Sequence, residues 1–314
     1  MFFTELLGNA YQVEFATNGV LQEAIDTSND RIVFWQRPPS SEQLKIIPAS
    51  SIVFVPMYDE ARNYSRETIR SWAPFKIISF CRSMHEDLVL WGFNSKYVQY
   101  FPKPMLSTPL LQPEQKAFFW RRESSYINEA IPANIVRRLF YGTGLQLHLH
   151  SENKLDDEHE IADMITSRSS WFSDKTEMLS ILRECSLYVA PRESEGIGMS
   201  FLDAMANGLA IVGADNPTMN EYITDEVNGY LFDLMKPKPL DLENLAQVRQ
   251  RSLETCQTGF EKWEKEKWSL IEFIEEKKAP PMMLQVPRGF EYHSLKQKNI
   301  FFKMKRFAKK LAGI

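Results

Sequence analysis

From Ser186 to Asp233 the chain reads SLYVAPRESEGIGMSFLDAMANGLAIVGADNPTMNEYITDEVNGYLFD. Leu187–Ala190 is a short apolar run, as expected of a strand covered on both faces of a sheet. It runs into a loop carrying Glu193, Glu195, Gly196 and Gly198, and a helix is expected from about Met199 to Ala206. A glycine-bearing loop at a helix N-terminus lets backbone N–H groups approach an anion, and the helix dipole favours negative charge there. Asp203 falls one turn into that helix and can share a side with the Glu195 loop. Two carboxylates so placed suit a ligand with a diphosphate between two polyhydroxyl rings, because carboxylates are strong acceptors for sugar hydroxyls. A plain βα crossover with a glycine-rich turn would read the same way if nothing else supported it.

Outward from this stretch, short runs rich in Ile, Val and Phe recur. Expected strands are 32–35, 52–56, 76–80 and 97–101, then 117–120, 145–149, 187–190, 210–212 and 230–232. Helical patterns lie between them. Asp174 with Glu177, and Thr218 with Glu221, have capping-box spacing. Strand–helix alternation predicts a doubly wound α/β architecture. The proline-rich stretch from Phe101 to Pro113 is the natural interdomain linker, which predicts domains at 1–110 and 111–240 and a helical extension at 241–314. The first 26 residues read equally as a strand followed by a helix or as one helix.

Composition fits a soluble globular enzyme, with 44% hydrophobic and 25% charged residues. The N-terminus has neither a basic region nor a cleavage site of a secretory signal, and no apolar run approaches a membrane span. Three scattered cysteines, Cys81, Cys185 and Cys256, form no metal or disulfide pattern and suit a reducing cytosol. The net charge of −4 divides unevenly: from Ala279 onward eight Lys or Arg face one acid, a net of +7, which leaves −11 for the rest. The acidic balance argues against a nucleic-acid binder. Residues 295–314 hold seven basic residues and no acid, with Ile300, Met304, Phe307, Leu311 and Ile314 at helical spacing. Such a helix suits an anionic membrane surface or, alternatively, docks its stripe on the core.

The full pattern resembles the donor domain of retaining GT-B glycosyltransferases of the family 4 type. Pro191, Glu195-Gly196-Ile197-Gly198, Leu202-Asp203-Ala204-Met205-Ala206-x-Gly208, Glu221-x-Ile223 and Asn228-Gly229-x-Leu231 match that family's motifs in order and spacing. The resemblance implies two Rossmann-like domains facing a cleft. It also implies transfer of a sugar from a nucleoside diphosphate to a hydroxyl of a glycan or lipid-linked glycan, as in cell-surface polysaccharide synthesis. A sugar-nucleotide epimerase and a non-catalytic partner subunit are the rival readings. No metal or other cofactor is expected, and the setting implied is the cytoplasm or the inner face of the membrane. Carried over by position, Glu195 would contact the donor sugar. The N–H groups of Gly196, Ile197, Gly198 and Met199 would hold sugar and diphosphate, and Asp203 would reach the ribose. Aspartate where the family has glutamate shortens that reach by one methylene.

Other residues enter through weaker matches. Ala117–Arg122 resembles the family's first donor-domain strand, which makes Arg121, with Arg122 as its rival, the diphosphate partner. The lysine the family places about five residues later is absent, since Tyr126 stands there. Phe172 and Ser173 fall where the family's nucleobase sits, or form an ordinary βα turn. On the acceptor side, Arg82 is preferred over His85 in the stretch after Cys81. Asp59 and Glu60 follow another strand end, where ligands gather but where helix N-termini also favour acids. His148 and His150 alternate on one strand, and a sheet-face role suits them better than a metal pair without a third ligand.

Overall fold

The computed structural model describes residues 2–15, 30–105, 115–121, 130–153, 156–172 and 174–276. The chain forms two parallel sheets. The first has four strands, β1 (Ile32–Gln36), β2 (Ile52–Pro56), β3 (Lys76–Ser79) and β4 (Asn94–Tyr97), in the order β1-β2-β3-β4. The second has six strands: β5 (Lys116–Trp120), β6 (Gln146–His150), β7 (Ile165–Ser169), β8 (Leu187–Val189), β9 (Ala210–Ala214) and β10 (Gly229–Phe232). Their order is β10-β9-β8-β5-β6-β7. Counted from β5, this is the 3-2-1-4-5-6 order of a dinucleotide-binding sheet, with its topological switch between β5 and β8.

Alternation of side chains sorts the first sheet into two interiors. Ile52, Phe54 and Ile77 face helical residues Tyr58, Ile69, Trp72, Met84 and Leu88. Val53, Val55, Ile78 and Phe80 join the main core with Phe3, Leu6, Leu7, Tyr100 and Trp263. A monotonic strand order explains this division, because right-handed crossovers that never reverse place their helices on one face. The other face is covered by the helix Phe2–Gly8 and by the returning C-terminal helices. Phe2 stacks on Tyr100 at 3.7 Å, and both rings meet Trp263 edge-on. Of the first 26 residues, 2–8 are thus helical, and 16–29 lie outside the described residues.

The helix Leu245–Glu266 anchors on the second domain, where Arg249 Nε donates to the Gly208 carbonyl (3.0 Å) and Ser252 Oγ to that of Leu209 (2.8 Å). The helix Trp268–Glu275 then reaches the first domain, where Arg31 pairs with Glu275 at 3.1 Å.

Two expectations about strands need correction. The fourth strand is Asn94–Tyr97, not 97–101. It is a half-exposed edge strand, so its polar residues carry no strand signal. The apolar residues after it, Val98, Tyr100 and Phe101, are buried between the domains instead. Gly259 allows that approach, since a Cβ there would lie 2.3 Å from the Phe101 ring. The strand Ile165–Ser169 is absent from the expected set for the same edge-strand reason, its residues alternating half-buried and exposed.

The cap at Asp174 forms, accepting from the N–H of Thr176 (2.7 Å) and Glu177 (3.0 Å). The one expected at Thr218 does not. Its hydroxyl donates to the Glu195 carbonyl at 3.3 Å, and Glu221 is engaged across the domain boundary.

Candidate active site

The crevice outside the carboxyl ends of β5 and β8 is where an open α/β sheet of this order gathers ligands. β8 leads into Pro191–Gly198, and the helix Met199–Ala206 follows. Gly198 is the N-cap with φ +79°, and a Cβ on it would lie 1.8 Å from the Phe201 ring, so both backbone and space require glycine. Gly196 permits a close approach of another kind, since a Cβ there would lie 2.7 Å from Met57 Sδ of the first domain. Among the described residues, none of the N–H groups of Gly196, Ile197, Gly198 and Met199 donates to a backbone carbonyl. A run of donors at a helix N-terminus is the arrangement an anion would satisfy.

Glu195 is 7% exposed, and its Oε2 lies 4.0 Å from Arg192 Nη1. The same Nη1 donates to Asp59 Oδ2 at 2.9 Å. Asp59, 4% exposed, lies in the short helix Tyr58–Ala61 after β2, so this guanidinium stands between carboxylates of both domains. The sequence reading named Asp59 but missed Arg192. The signal available was a cation three residues before Glu195 in a loop otherwise acidic. The loop is braced from behind, since Asn216 Nδ2 donates to the Glu193 carbonyl at 3.1 Å.

Asp203 is half-buried one turn into the helix. Burial raises the Cys256 thiol to about 12, and the negative charge of Asp203 adds to that; burial and then Asp203 likewise raise Tyr100. The carboxylate therefore acts on the side where the interdomain crossing and the long C-terminal helix pass.

Arg121 ends β5 at the switch point. Its guanidinium donates to the Ile131 carbonyl, and Nη2 lies 3.5 Å from Asp157 Oδ2, which also accepts from the Ala133 N–H at 2.8 Å. Arg122 and Ser173 lie outside the described residues. Phe172 stacks on His150 with centroids 4.2 Å apart and planes 6° off parallel.

Both histidines face one side of the sheet. His148 bonds Ser167 Oγ at 2.9 Å and Ser169 Oγ at 2.8 Å, and His150 bonds Ser169 Oγ at 2.7 Å. Burial, with the Lys116 charge nearby, lowers His148 to about 4, so its ring is neutral at pH 7. Among the described residues no group of three His, Cys, Asp or Glu could hold a metal.

On the first domain, Glu221 accepts from the Arg82 N–H (2.7 Å), the Ser83 N–H (2.9 Å) and Cys81 Sγ (3.3 Å). A carboxylate of one domain thus caps the helix Arg82–Leu90 of the other. The Arg82 side chain lies over the Tyr97 ring, 5.9 Å from its centroid. His85 turns away towards β4, where Nδ1 meets Ser95 Oγ at 2.9 Å. Arg82, Ser83, Glu86, Asp215, Asn216 and Glu221 share a polar interdomain groove of about 490 Å³. No helix among the described residues is long and apolar enough to cross a membrane.

Residues 142–241 match the family described as glycosyl transferases group 1. A 57-residue stretch is 36% identical to the UDP-N-acetylglucosamine–peptide N-acetylglucosaminyltransferase GtfA subunit of Limosilactobacillus reuteri; it covers 18% of this chain and 11% of that protein. The corresponding subunit of Streptococcus agalactiae is 34% identical over 59 residues, again 18% of this chain and 12% of the relative. The stretch matched is thus about a tenth of the length of these curated relatives.

Among solved structures, a glycosyltransferase from Rickettsia africae superposes with a TM-score of 0.55 at 10% identity, covering 88% of both chains. HepE from Anabaena, in complex with UDP, gives 0.54 at 14%, covering 70% of this chain and 72% of that one. The pneumococcal O-GlcNAc transferase GtfA, with UDP and GlcNAc, gives 0.52 at 17%, covering 73% and 54%. These likenesses establish the fold, GT-B, with two α/β domains across a cleft.

Proposed function

We propose, from the match of residues 142–241 to the glycosyl transferases group 1 family, that the protein moves a sugar from a UDP-sugar, first of all UDP-N-acetylglucosamine, to a hydroxyl acceptor. The observation that carries this reading is the Glu195–Met199 loop, which presents a buried carboxylate and a row of backbone N–H groups at the switch point of a nucleotide-binding sheet. The UDP found with HepE and with pneumococcal GtfA supports the choice of nucleobase. The GtfA relatives act on peptides; a glycan or lipid-linked glycan acceptor rests on the family resemblance.

In this reading Gly196, Ile197, Gly198 and Met199 bind the diphosphate, Glu195 receives the donor sugar's hydroxyls and Asp203 the ribose. Arg121, exchanging Asp157 for phosphate, and Arg122 neutralise the leaving group, and Phe172 and Ser173 border the uracil. The acceptor oxygen bonds to the anomeric carbon as the bond from that carbon to the β-phosphate oxygen breaks. UDP leaves with the electron pair, and the acceptor's proton passes to a phosphate oxygen with retention at carbon. No protein nucleophile is needed, and the protein's contribution is positioning and stabilisation of developing negative charge. Arg82, beside the interdomain groove, lies on the acceptor side.

Calorimetry with UDP and hydrolysis of UDP-N-acetylglucosamine test this directly; a folded protein that neither binds UDP nor releases it from the sugar nucleotide would sink the reading. The basic stretch 295–314 lies outside the described residues. We assign it to an anionic bilayer at the inner face of the cell membrane on its sequence alone. Deleting it should abolish sedimentation with phosphatidylglycerol vesicles while sparing UDP binding.

A further inference from the structure

Where the two domains meet at the mouth of the crevice, Arg192 links Glu195 to a carboxylate of the first domain. One Nη1 atom serves two carboxylates, Asp59 at 2.9 Å and Glu195 at 4.0 Å. Both acids are more than nine-tenths buried, and the Arg192 side chain is 19% exposed. A guanidinium in such surroundings is held by its strongest partner, here the shorter pair to Asp59. Its position then decides where the second carboxylate rests. We infer that Arg192 and Asp59 are positioning residues that aim the Glu195 carboxylate at the donor sugar, with Asp59 acting from the opposite domain.

This rests on the transferase reading above. It has a mechanical consequence: Glu195 is correctly aimed only when the domains are closed, because Asp59, which holds Arg192 in place, belongs to the first domain. Gly196 lying against Met57 fixes the same closure one residue further along. The nucleotide end of the site, built from the second domain alone, needs no such closure. Binding of UDP and turnover of the sugar are therefore separable, and Asp59 belongs to turnover.

The test uses the full chain with Arg192→Ala, Asp59→Asn and the double variant. UDP dissociation constants, turnover of UDP-N-acetylglucosamine and thermal unfolding are measured for each. Each single variant should lose at least tenfold in kcat with the UDP constant within twofold of the parent. The double variant should be no slower than the slower single one, since both act through one carboxylate. Arg192→Lys, which keeps the charge and loses the fork, should recover part of the rate. Turnover within twofold of the parent in either single variant overturns the inference, as do losses that multiply in the double variant or a parallel weakening of UDP. If the parent protein itself neither binds UDP nor turns over the sugar nucleotide, the transferase reading fails instead. The pair is then judged on thermal unfolding, where a double variant that loses the sum of the two single losses overturns it.

Discussion

The two domains are built from the same parallel strands and helices, yet among the described residues one sheet alone has the reversal of strand order that opens a ligand crevice. The second sheet reverses its strand order between β5 and β8, so the loops after these strands splay apart and leave a gap. Among the described residues the first sheet runs β1-β2-β3-β4 without reversal. It therefore offers strand-end groups to its neighbour: the side chains of Met57 and Asp59 after β2, and after β3 the Cys81 thiol with the backbone N–H groups of Arg82 and Ser83. The lesson is a division of labour that follows from topology. On the proposed reading nucleotide binding belongs to the second domain, and whatever depends on the first must depend on closure.

The sharpest way to break that division is Glu195→Gln. Its carboxylate stands where the domains meet, so turnover should fall roughly a hundredfold, about 2.7 kcal/mol in the barrier, with UDP affinity nearly unchanged. Steady-state rates beside calorimetry decide it, and a parallel loss of affinity would place Glu195 with the nucleotide. Next comes Asp203→Ala, inside the second domain. UDP binding should weaken by about 2 kcal/mol, the scale of a hydrogen bond to a charged group. Unchanged calorimetric affinity in a folded variant would remove the ribose assignment.

Glu221→Ala tests the domain contact without touching the loop. Two N–H groups of the helix Arg82–Leu90 lose their acceptor, which should cost about 1 kcal/mol in thermal unfolding. UDP affinity should hold. A variant with the parent's melting temperature would show that the cap contributes nothing.

The smallest effect concerns His148, whose partners Ser167 and Ser169 lie in the second domain. His148 is held near pKa 4, below the roughly 6.5 of the unfolded chain. As pH falls through 6.5 the unfolded state gains a proton that the folded state refuses, so stability drops until the folded pKa is reached. The loss should grow steadily as pH falls from 6.5 to about 5, and His148→Gln should flatten the stability profile between pH 7 and pH 5. An unchanged slope would mean that the ring protonates in place.

Much of the second domain was legible because its signals are local. Buried strands announce themselves as apolar runs, Asp174 caps its own helix two and three residues on, and Gly198 serves a turn completed within its own loop. Edge strands were harder. Asn94–Tyr97 and Ile165–Ser169 are half solvated, so pairing rather than hydrophobic pattern makes them strands. Thr218 and Glu221 show the limit of local spacing. The capping-box interval is present, but each side chain finds a better partner elsewhere, Glu195 for one and the Arg82–Leu90 helix for the other.

By itself the sequence determined the alternation of strands and helices, the glycine-bearing loop with Glu195 in it, and the placing of Asp203 one turn into the helix that follows. These depend on contacts over a few residues, where periodicity, φ restriction and capping act. The tertiary structure alone decided that Arg192 meets Asp59, 133 residues away, and that Glu221 caps a helix 139 residues before it. The physical reason is that a charged side chain's partner is chosen by which strand ends the closed domains bring face to face, and the order of residues along the chain carries no record of that.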